Sequence, residues 1–168
     1  MIPYNFVMSG SQNEGLTHIN VQGEVHMVDV SDRSSTVRTA RASGKVILSA
    51  QVLAMISDGK APKGDVLATA RIAGIMGAKK TPELIPLCHP IAISSVSVDL
   101  SVEEDGVAIT AAVKTADRTG VEMEALTAVA IAALTIIDMA KALDPMASIV
   151  DVKVEEKDGG RNGHWIRP

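Results

Sequence analysis

Two consecutive runs of alternating apolar and polar residues, followed by one long apolar stretch, constrain the fold of this chain most strongly. From 95 to 102, valine and leucine alternate with serine and aspartate, and from 107 to 114 apolar residues again occupy every second position. A period of two is typical of strands with one buried face, and residues 103–106 between the runs predict a turn. The two runs therefore predict a β-hairpin.

A long helix is predicted directly after this hairpin. Thr119 and Glu122 have the spacing of a capping box, in which the two residues satisfy each other's backbone donors. The apolar stretch that follows extends to about Leu143, where an Asp-Pro pair predicts the end of the helix. Alternation over residues 150–155 then predicts a final strand.

The first half of the chain contributes a strand and two helices. Residues 45–48 predict a short strand, Ser49 is placed to cap a helix to about residue 57, and a second helix is predicted over 64–78. The order strand, helices, strand, strand, helix, strand is the split βαβ or ferredoxin-like pattern of an α+β protein. It places the helices on one face of an antiparallel sheet.

Composition excludes several classes of function. Aromatic residues make up 2% of the chain, which argues against stacking of single-stranded nucleic acid, and a net charge of −4 gives no basic surface for a phosphate backbone. The single cysteine, Cys88, rules out an internal disulfide and fits a reducing compartment. Residues 1–10 do not resemble a signal peptide, and charges interrupt the apolar segments, so we expect a cytoplasmic protein with no membrane span.

A single domain is predicted over residues 16–157, because 168 residues is the usual size of one domain. Residues 1–15 are predicted to be a flexible arm, and 158–168 a Gly-rich tail. On the second helix, Ala70, Gly74 and Ala78 form a stripe of small residues. The stripe predicts either tight packing within the chain or a contact between subunits.

Acidic residues on the long helix have two interpretations. Asp138 interrupts an apolar stripe one turn before Lys141, which indicates either a structural ion pair or an acid–base pair at a pocket. Glu122 and Glu124 complement the dipole at the start of the helix. Glu124 and Asp138 would be about 21 Å apart along the axis. If both line a site, either the substrate is long or two subunits contribute.

Cys88 and His89 lie between two prolines, which predicts a stiff, extended segment before a strand. Such a segment presents either ligand-binding side chains or a buried cysteine with a hydrogen-bonded histidine. A Cys-His nucleophile is disfavoured, because neighbours in an extended strand point to opposite faces. The histidines lack ligand spacing, so no metal site is predicted. Lys63, before a helix, is either a phosphate ligand or part of a solvated loop.

In order along the chain, these segments resemble one family, cyclic pyranopterin monophosphate synthase, also called molybdenum cofactor biosynthesis protein C. The resemblance covers roughly residues 16 to 160. The matching segments are 16–18 (LTH), 26–30 (HMVDV), 63–66 (KGDV), 68–75 (ATARIAGI), 84–90 (LIPLCHP), 119–127 (TGVEMEALT) and 138–141 (DMAK).

The resemblance implies a ferredoxin-like enzyme that converts 3′,8-cyclo-7,8-dihydroguanosine triphosphate to cyclic pyranopterin monophosphate and releases pyrophosphate. It implies a homohexamer, a trimer of dimers with active sites at the dimer interface. It implies no redox cofactor, and the sequence leaves open whether Mg²⁺ accompanies the triphosphate. Among site residues, it implies catalytic roles for Asp138, Lys63 and Lys141. The substrate-binding residues that it implies are Leu87, Cys88, His89, Met123, Glu124, Glu122, Arg38 and Lys157.

Two other functions fit the same residues. A non-catalytic nucleotide sensor would use Lys63, His89 and Lys157 as phosphate ligands, because a ferredoxin-like fold alone implies no activity. A structural oligomeric subunit would leave the candidate site residues scattered in the assembly. The enzyme hypothesis predicts that they converge in one pocket across a subunit interface.

Overall fold

The computed structural model describes residues 23–160 and 163–168. The strands are β1 (Thr36–Ile47), β2 (Ile93–Val102), β3 (Gly106–Asp117), β4 (Ser148–Asp158) and β5 (Trp165–Ile166). The helices are α1 (Ala50–Ser57), α2 (Val66–Lys79), α3 (Thr81–Leu84) and α4 (Glu122–Ala140). The predicted order of elements is confirmed, while α3 and β5 are additions to it. The predicted arm 1–15 lies outside the described residues.

The sheet has the order β2-β3-β1-β4-β5, and all of its neighbouring strands are antiparallel. Helix α4 packs across β1, β3 and β4, and α2 packs beside it against β2. The buried residues of the strands and helices form one hydrophobic core between the two layers. The predicted α+β, ferredoxin-like architecture is confirmed.

Strand β1 is longer than predicted, since it spans twelve residues, Thr36–Ile47, instead of 45–48. Its helix-facing positions include Ala40, Ala42 and Gly44, all of them buried. A Cβ atom at Gly44 would lie 2.6 Å from the Val129 side chain of α4. These small residues allow α4 to approach the centre of the sheet, but they give the sequence little apolar alternation.

The stripe of small residues on α2 packs within the chain. Ala70, Gly74 and Ala78 are all buried. A Cβ atom at Gly74 would lie 2.9 Å from the Ala128 carbonyl oxygen and 3.2 Å from the Ala132 Cβ, both on α4. The interpretation as tight packing is therefore confirmed.

Helix α4 is the central helix of the core. Its length and apolar composition would suffice for a membrane span, but ten of its side chains are buried in the fold. It ends at Ala140 rather than near Leu143, because the backbone N–H groups of Leu143 and Asp144 both donate to the Ala140 carbonyl and close a turn. The Asp144 carboxylate then accepts the Ser49 backbone N–H at 2.6 Å and links this turn to the start of α1.

Candidate active site

Two neighbouring cavities lie at the N-terminal end of α4. The large cavity, about 790 Å³, is lined by Asp29, Asp32, Arg33, Ser34, Thr36, Arg38, Thr39, Gly120, Glu122, Lys157, Asp158, Gly159 and Gly160. The small cavity, about 300 Å³, is lined by Val28, Val30, Arg33, Leu87, Cys88, His89, Thr119, Gly120, Glu122, Met123 and Glu124. Both cavities share Arg33, Gly120 and Glu122, so they are compartments of one depression.

Glu122 separates the two cavities. Its Oε1 lies 3.1 Å from Nζ of Lys157, and a Cβ atom at position 120 would displace its carboxylate from this position. The predicted capping box is wrong. The N-cap residue of α4 is Val121, no side chain caps the helix, and Glu122 is its first residue. The Glu122 carboxylate pairs with Lys157 rather than with the backbone at Thr119.

A β-bulge in β4 aims Lys157 at the helices. Val154 lies opposite Ala42, and Lys157 lies opposite Ala40, so β4 contains one extra residue over this stretch. Ala40 is buried beneath the helices, and residues directly opposite each other in a ladder share a face. In a regular ladder Lys157 would lie opposite Thr39 and point away from Glu122.

Arg38 extends from β1 into the large cavity. Its Nε donates to the Asp117 carbonyl oxygen at 3.0 Å, which fixes the plane of the guanidinium. Gly159 and Gly160 have φ of 90° and 75°, and a side chain at 160 would collide with that guanidinium. The two glycines therefore leave room for the Arg38 side chain beside Lys157.

Cys88 and His89 line the same cavity, contrary to the prediction that they point to opposite faces. They follow a turn closed by the Cys88 N–H and the Ile85 carbonyl at 3.0 Å, and not an extended strand. His89 Nε2 donates to the Val28 carbonyl at 2.7 Å, because a carbonyl oxygen can only accept. Burial, and to a smaller extent the charge of Glu124, raises the pKa of the Cys88 thiol, which disfavours a nucleophilic thiolate.

Glu124 is the buried acid of the small cavity, with 3% of its surface exposed. Desolvation raises its pKa from 4.5 to about 7, with a smaller upward contribution from Glu122. A hydrogen bond to its own backbone opposes this rise. The carboxyl group therefore exchanges a proton near neutral pH, as an acid–base group or a pH-sensitive ligand for N–H groups would.

A second cluster lies at the opposite end of α4. Asp138 Oδ1 lies 2.6 Å from Nζ of Lys141, and Asp138 Oδ2 lies 3.3 Å from Nζ of Lys63. The Lys63 ammonium also donates to the backbone carbonyl of Asp138 at 2.7 Å. The hydrogen bond from Lys141 lowers the pKa of Asp138 most, and the hydrogen bond from Lys63 lowers it further. The predicted Asp138–Lys141 pair is confirmed, and Lys63 from the loop before α2 joins it.

The two groups of candidate residues do not meet within one chain. Helix α4 is continuous from Glu122 to Ala140, so the fourteen residues between Glu124 and Asp138 span about 21 Å. The side chains of Lys63, Asp138 and Lys141 are 47%, 59% and 61% exposed. A single chain thus presents two separate groups of candidate residues: the cavities with Glu122, Glu124, Arg38 and Lys157, and the exposed cluster of Lys63, Asp138 and Lys141.

The sequence model of the MoaC family matches residues 27–160, a range that includes both groups of candidate residues. The chain belongs to the MoaC family. A relative from Streptomyces avermitilis is 63% identical over 152 residues, which cover 90% of this chain and 89% of the relative. One from Nocardioides is 58% identical, with 91% of this chain and 96% of the relative covered. One from Dinoroseobacter shibae is 57% identical, with 90% of this chain and 97% of the relative covered. All three are named cyclic pyranopterin monophosphate synthase.

Sequence reasoning missed part of the site of this MoaC-family chain. Asp29, Asp32 and Arg33 line the large cavity, but they belong to a segment with no periodic pattern. The match of residues 26–30 to the family includes Asp29 but neither Asp32 nor Arg33, and it assigned no role. Within residues 23–160 and 163–168, no group of three or more His, Cys, Asp or Glu side chains is arranged to hold a metal ion.

Proposed function

We propose that this MoaC-family chain is a cyclic pyranopterin monophosphate synthase. It converts 3′,8-cyclo-7,8-dihydroguanosine triphosphate to cyclic pyranopterin monophosphate and releases pyrophosphate, a step of molybdenum cofactor biosynthesis. The observation that carries this proposal is the pair of joined cavities: the large one holds three cations, Arg33, Arg38 and Lys157, among several carboxylates, and the small one holds a buried acid, Glu124. They match the two ends of a purine-derived nucleoside triphosphate.

The large cavity accommodates the triphosphate. Arg38 and Lys157 face it, and a guanidinium and an ammonium are the side chains that bind phosphate oxygens most effectively. The small cavity accommodates the guanine-derived base, whose N–H groups donate to the carboxylates of Glu122 and Glu124. Leu87, Cys88, His89 and Met123 form the remaining walls of this cavity.

Lys63 and Lys141 act as acid–base groups, and Asp138 orients both. Lysine does this near neutral pH only where it is desolvated or lies beside other cations. In one chain these side chains are exposed, so a second subunit supplies the missing burial. The cluster of one subunit therefore faces the cavities of its partner, in a homohexamer built as a trimer of dimers.

The chemistry requires no redox cofactor, because no redox change occurs overall. Mg²⁺ bound to the triphosphate is compatible with the proposal. The pathway is that of a small-molecule cofactor, and we place the enzyme in the cytoplasm without nucleic-acid or membrane partners.

The test is turnover of the 3′,8-cyclised GTP derivative, followed by pyrophosphate release and by pterin product. Wild type is expected to form both products, whereas Lys63→Ala and Lys141→Ala remain folded, bind the compound and lose most of their rate. Lys60→Ala, which changes a lysine in the same loop paired with Asp58, is the matched control and keeps its rate. A wild-type protein that binds the compound without releasing either product would be a nucleotide sensor.

A further inference from the structure

A short segment crosses both cavities and is held in place by three hydrogen bonds. The Val28 carbonyl accepts from His89 Nε2 at 2.7 Å, and the Ser31 N–H donates to Asp29 Oδ1 at 2.8 Å. The Arg33 N–H donates to the Val30 carbonyl at 3.1 Å. These bonds fix the backbone from which the Arg33 side chain projects.

Arg33 is the one cation that lines both cavities. It is partly buried, and among residues 23–160 and 163–168 no carboxylate lies within 4.0 Å of its guanidinium. The other cations of the large cavity each have one partner within the chain, since Lys157 pairs with Glu122 and one nitrogen of Arg38, Nε, binds the Asp117 carbonyl. The guanidinium of Arg33 is thus available to an anionic ligand.

We propose that Arg33 is a further substrate-binding residue that contacts the phosphate nearest the ribose. The inference rests on the proposed function, in which the base occupies the small cavity and the triphosphate the large one. The atoms at the junction of the cavities are then the ribose and its first phosphate. A planar guanidinium can bind two oxygens of that phosphate at once, which lysine cannot do.

This contact would make the protein prefer phosphorylated nucleosides to unphosphorylated ones, and it would also raise the affinity for the phosphorylated ligands. A ligand that fills only the small cavity, such as guanosine, has no phosphate for Arg33. A ligand that extends by one phosphate, such as GMP, gains the contact. The difference in affinity between GMP and guanosine therefore measures the strength of the contact between Arg33 and the phosphate.

The experiment compares guanosine and GMP binding to the full-length wild-type, Arg33→Ala and Arg33→Lys proteins by NMR titration. Arg33→Ala is expected to bind GMP roughly tenfold to a hundredfold more weakly and guanosine equally well. Arg33→Lys should fall between wild type and Arg33→Ala, because it keeps the charge but loses the two-point contact. Arg118→Ala is the matched control, since this exposed arginine lies near the site but lines neither cavity.

Two outcomes would overturn the proposal. One is unchanged GMP affinity in Arg33→Ala, and the other is an equal loss for guanosine and GMP, which would indicate a structural role. Turnover of the cyclised GTP derivative by wild type is measured in parallel. If wild type shows no turnover while Arg33→Ala still loses GMP selectively, the proposed function fails and the Arg33 contact stands.

Discussion

At the scale of single residues, Glu124 makes a specific contribution to stability. Its pKa rises from 4.5 in the unfolded chain to about 7 in the fold, so the folded protein binds this proton more tightly between those values. Below pH 4.5 the buried carboxyl group does not lower the free energy of unfolding. As the pH rises, ionisation of this group lowers the free energy of unfolding by as much as about 3 kcal/mol above pH 7. We predict that Glu124→Gln removes this loss.

The measurement is thermal unfolding from pH 4.5 to 8 at fixed protein concentration. The stability of Glu124→Gln relative to wild type should increase steadily across this range and level off above pH 7. Glu104→Gln, which changes an exposed residue of the β2–β3 turn, should run parallel to wild type. A parallel curve for Glu124→Gln as well would show that the carboxyl group is not desolvated.

Sequence reasoning recognised individual residues best where a short-range pattern carried the signal. The Asp138–Lys141 pair follows from helical spacing alone, and it forms at 2.6 Å. The environment of Glu124 could not be predicted in this way, because its burial depends on the distant loop of Cys88 and His89. The position of Arg33 could not be predicted for the same reason, because the two cavities that it lines exist only in the folded chain.

At the scale of elements, the contact between α2 and α4 depends on Gly74. Replacing a helical glycine with alanine normally stabilises a helix by up to about 1 kcal/mol. Here the added Cβ would lie 2.9 Å from the Ala128 carbonyl oxygen, which is backbone and cannot move aside easily. We therefore predict that Gly74→Ala lowers the free energy of unfolding by about 1–3 kcal/mol.

Urea denaturation measures this change. Lys79→Ala, at the exposed last residue of α2, serves as the control and should stay within about 0.5 kcal/mol of wild type. If Gly74→Ala were as stable as wild type or more so, the two helices would not be in close contact at this position.

The elements themselves followed from periodicity, and their exceptions have physical causes. Strands β2 and β3 were predicted because apolar side chains alternate along them. Most of β1 was missed because alanine and glycine form its buried face. The bulges of β4, one of them at Asp151 with φ of 55°, depend on pairing with β1, which no local pattern records. Without the bulge before Lys157, the pair with Glu122 could not form.

At the scale of the whole molecule, one chain carries two groups of candidate site residues about 21 Å apart along α4. The cavities contain Glu124 and the cations Arg33, Arg38 and Lys157, and the exposed cluster contains Lys63, Asp138 and Lys141. The sequence predicted this separation from helix geometry. Which surfaces of two subunits meet could not be predicted, because no periodic pattern marks an intersubunit contact. We propose that the two groups combine into an active site shared by two subunits.

The most direct measurement of that claim mixes two inactive variants. Lys63→Ala damages the cluster and Glu124→Gln the cavities, so a mixed dimer contains one intact site and one doubly damaged site. Random exchange of subunits should restore about a quarter of the wild-type turnover. As a control, Lys63→Ala mixed with Asp138→Ala should restore none, because both changes damage the same cluster. If the first mixture also stays inactive although its subunits exchange, each active site lies within one chain and the proposal of a shared active site is wrong.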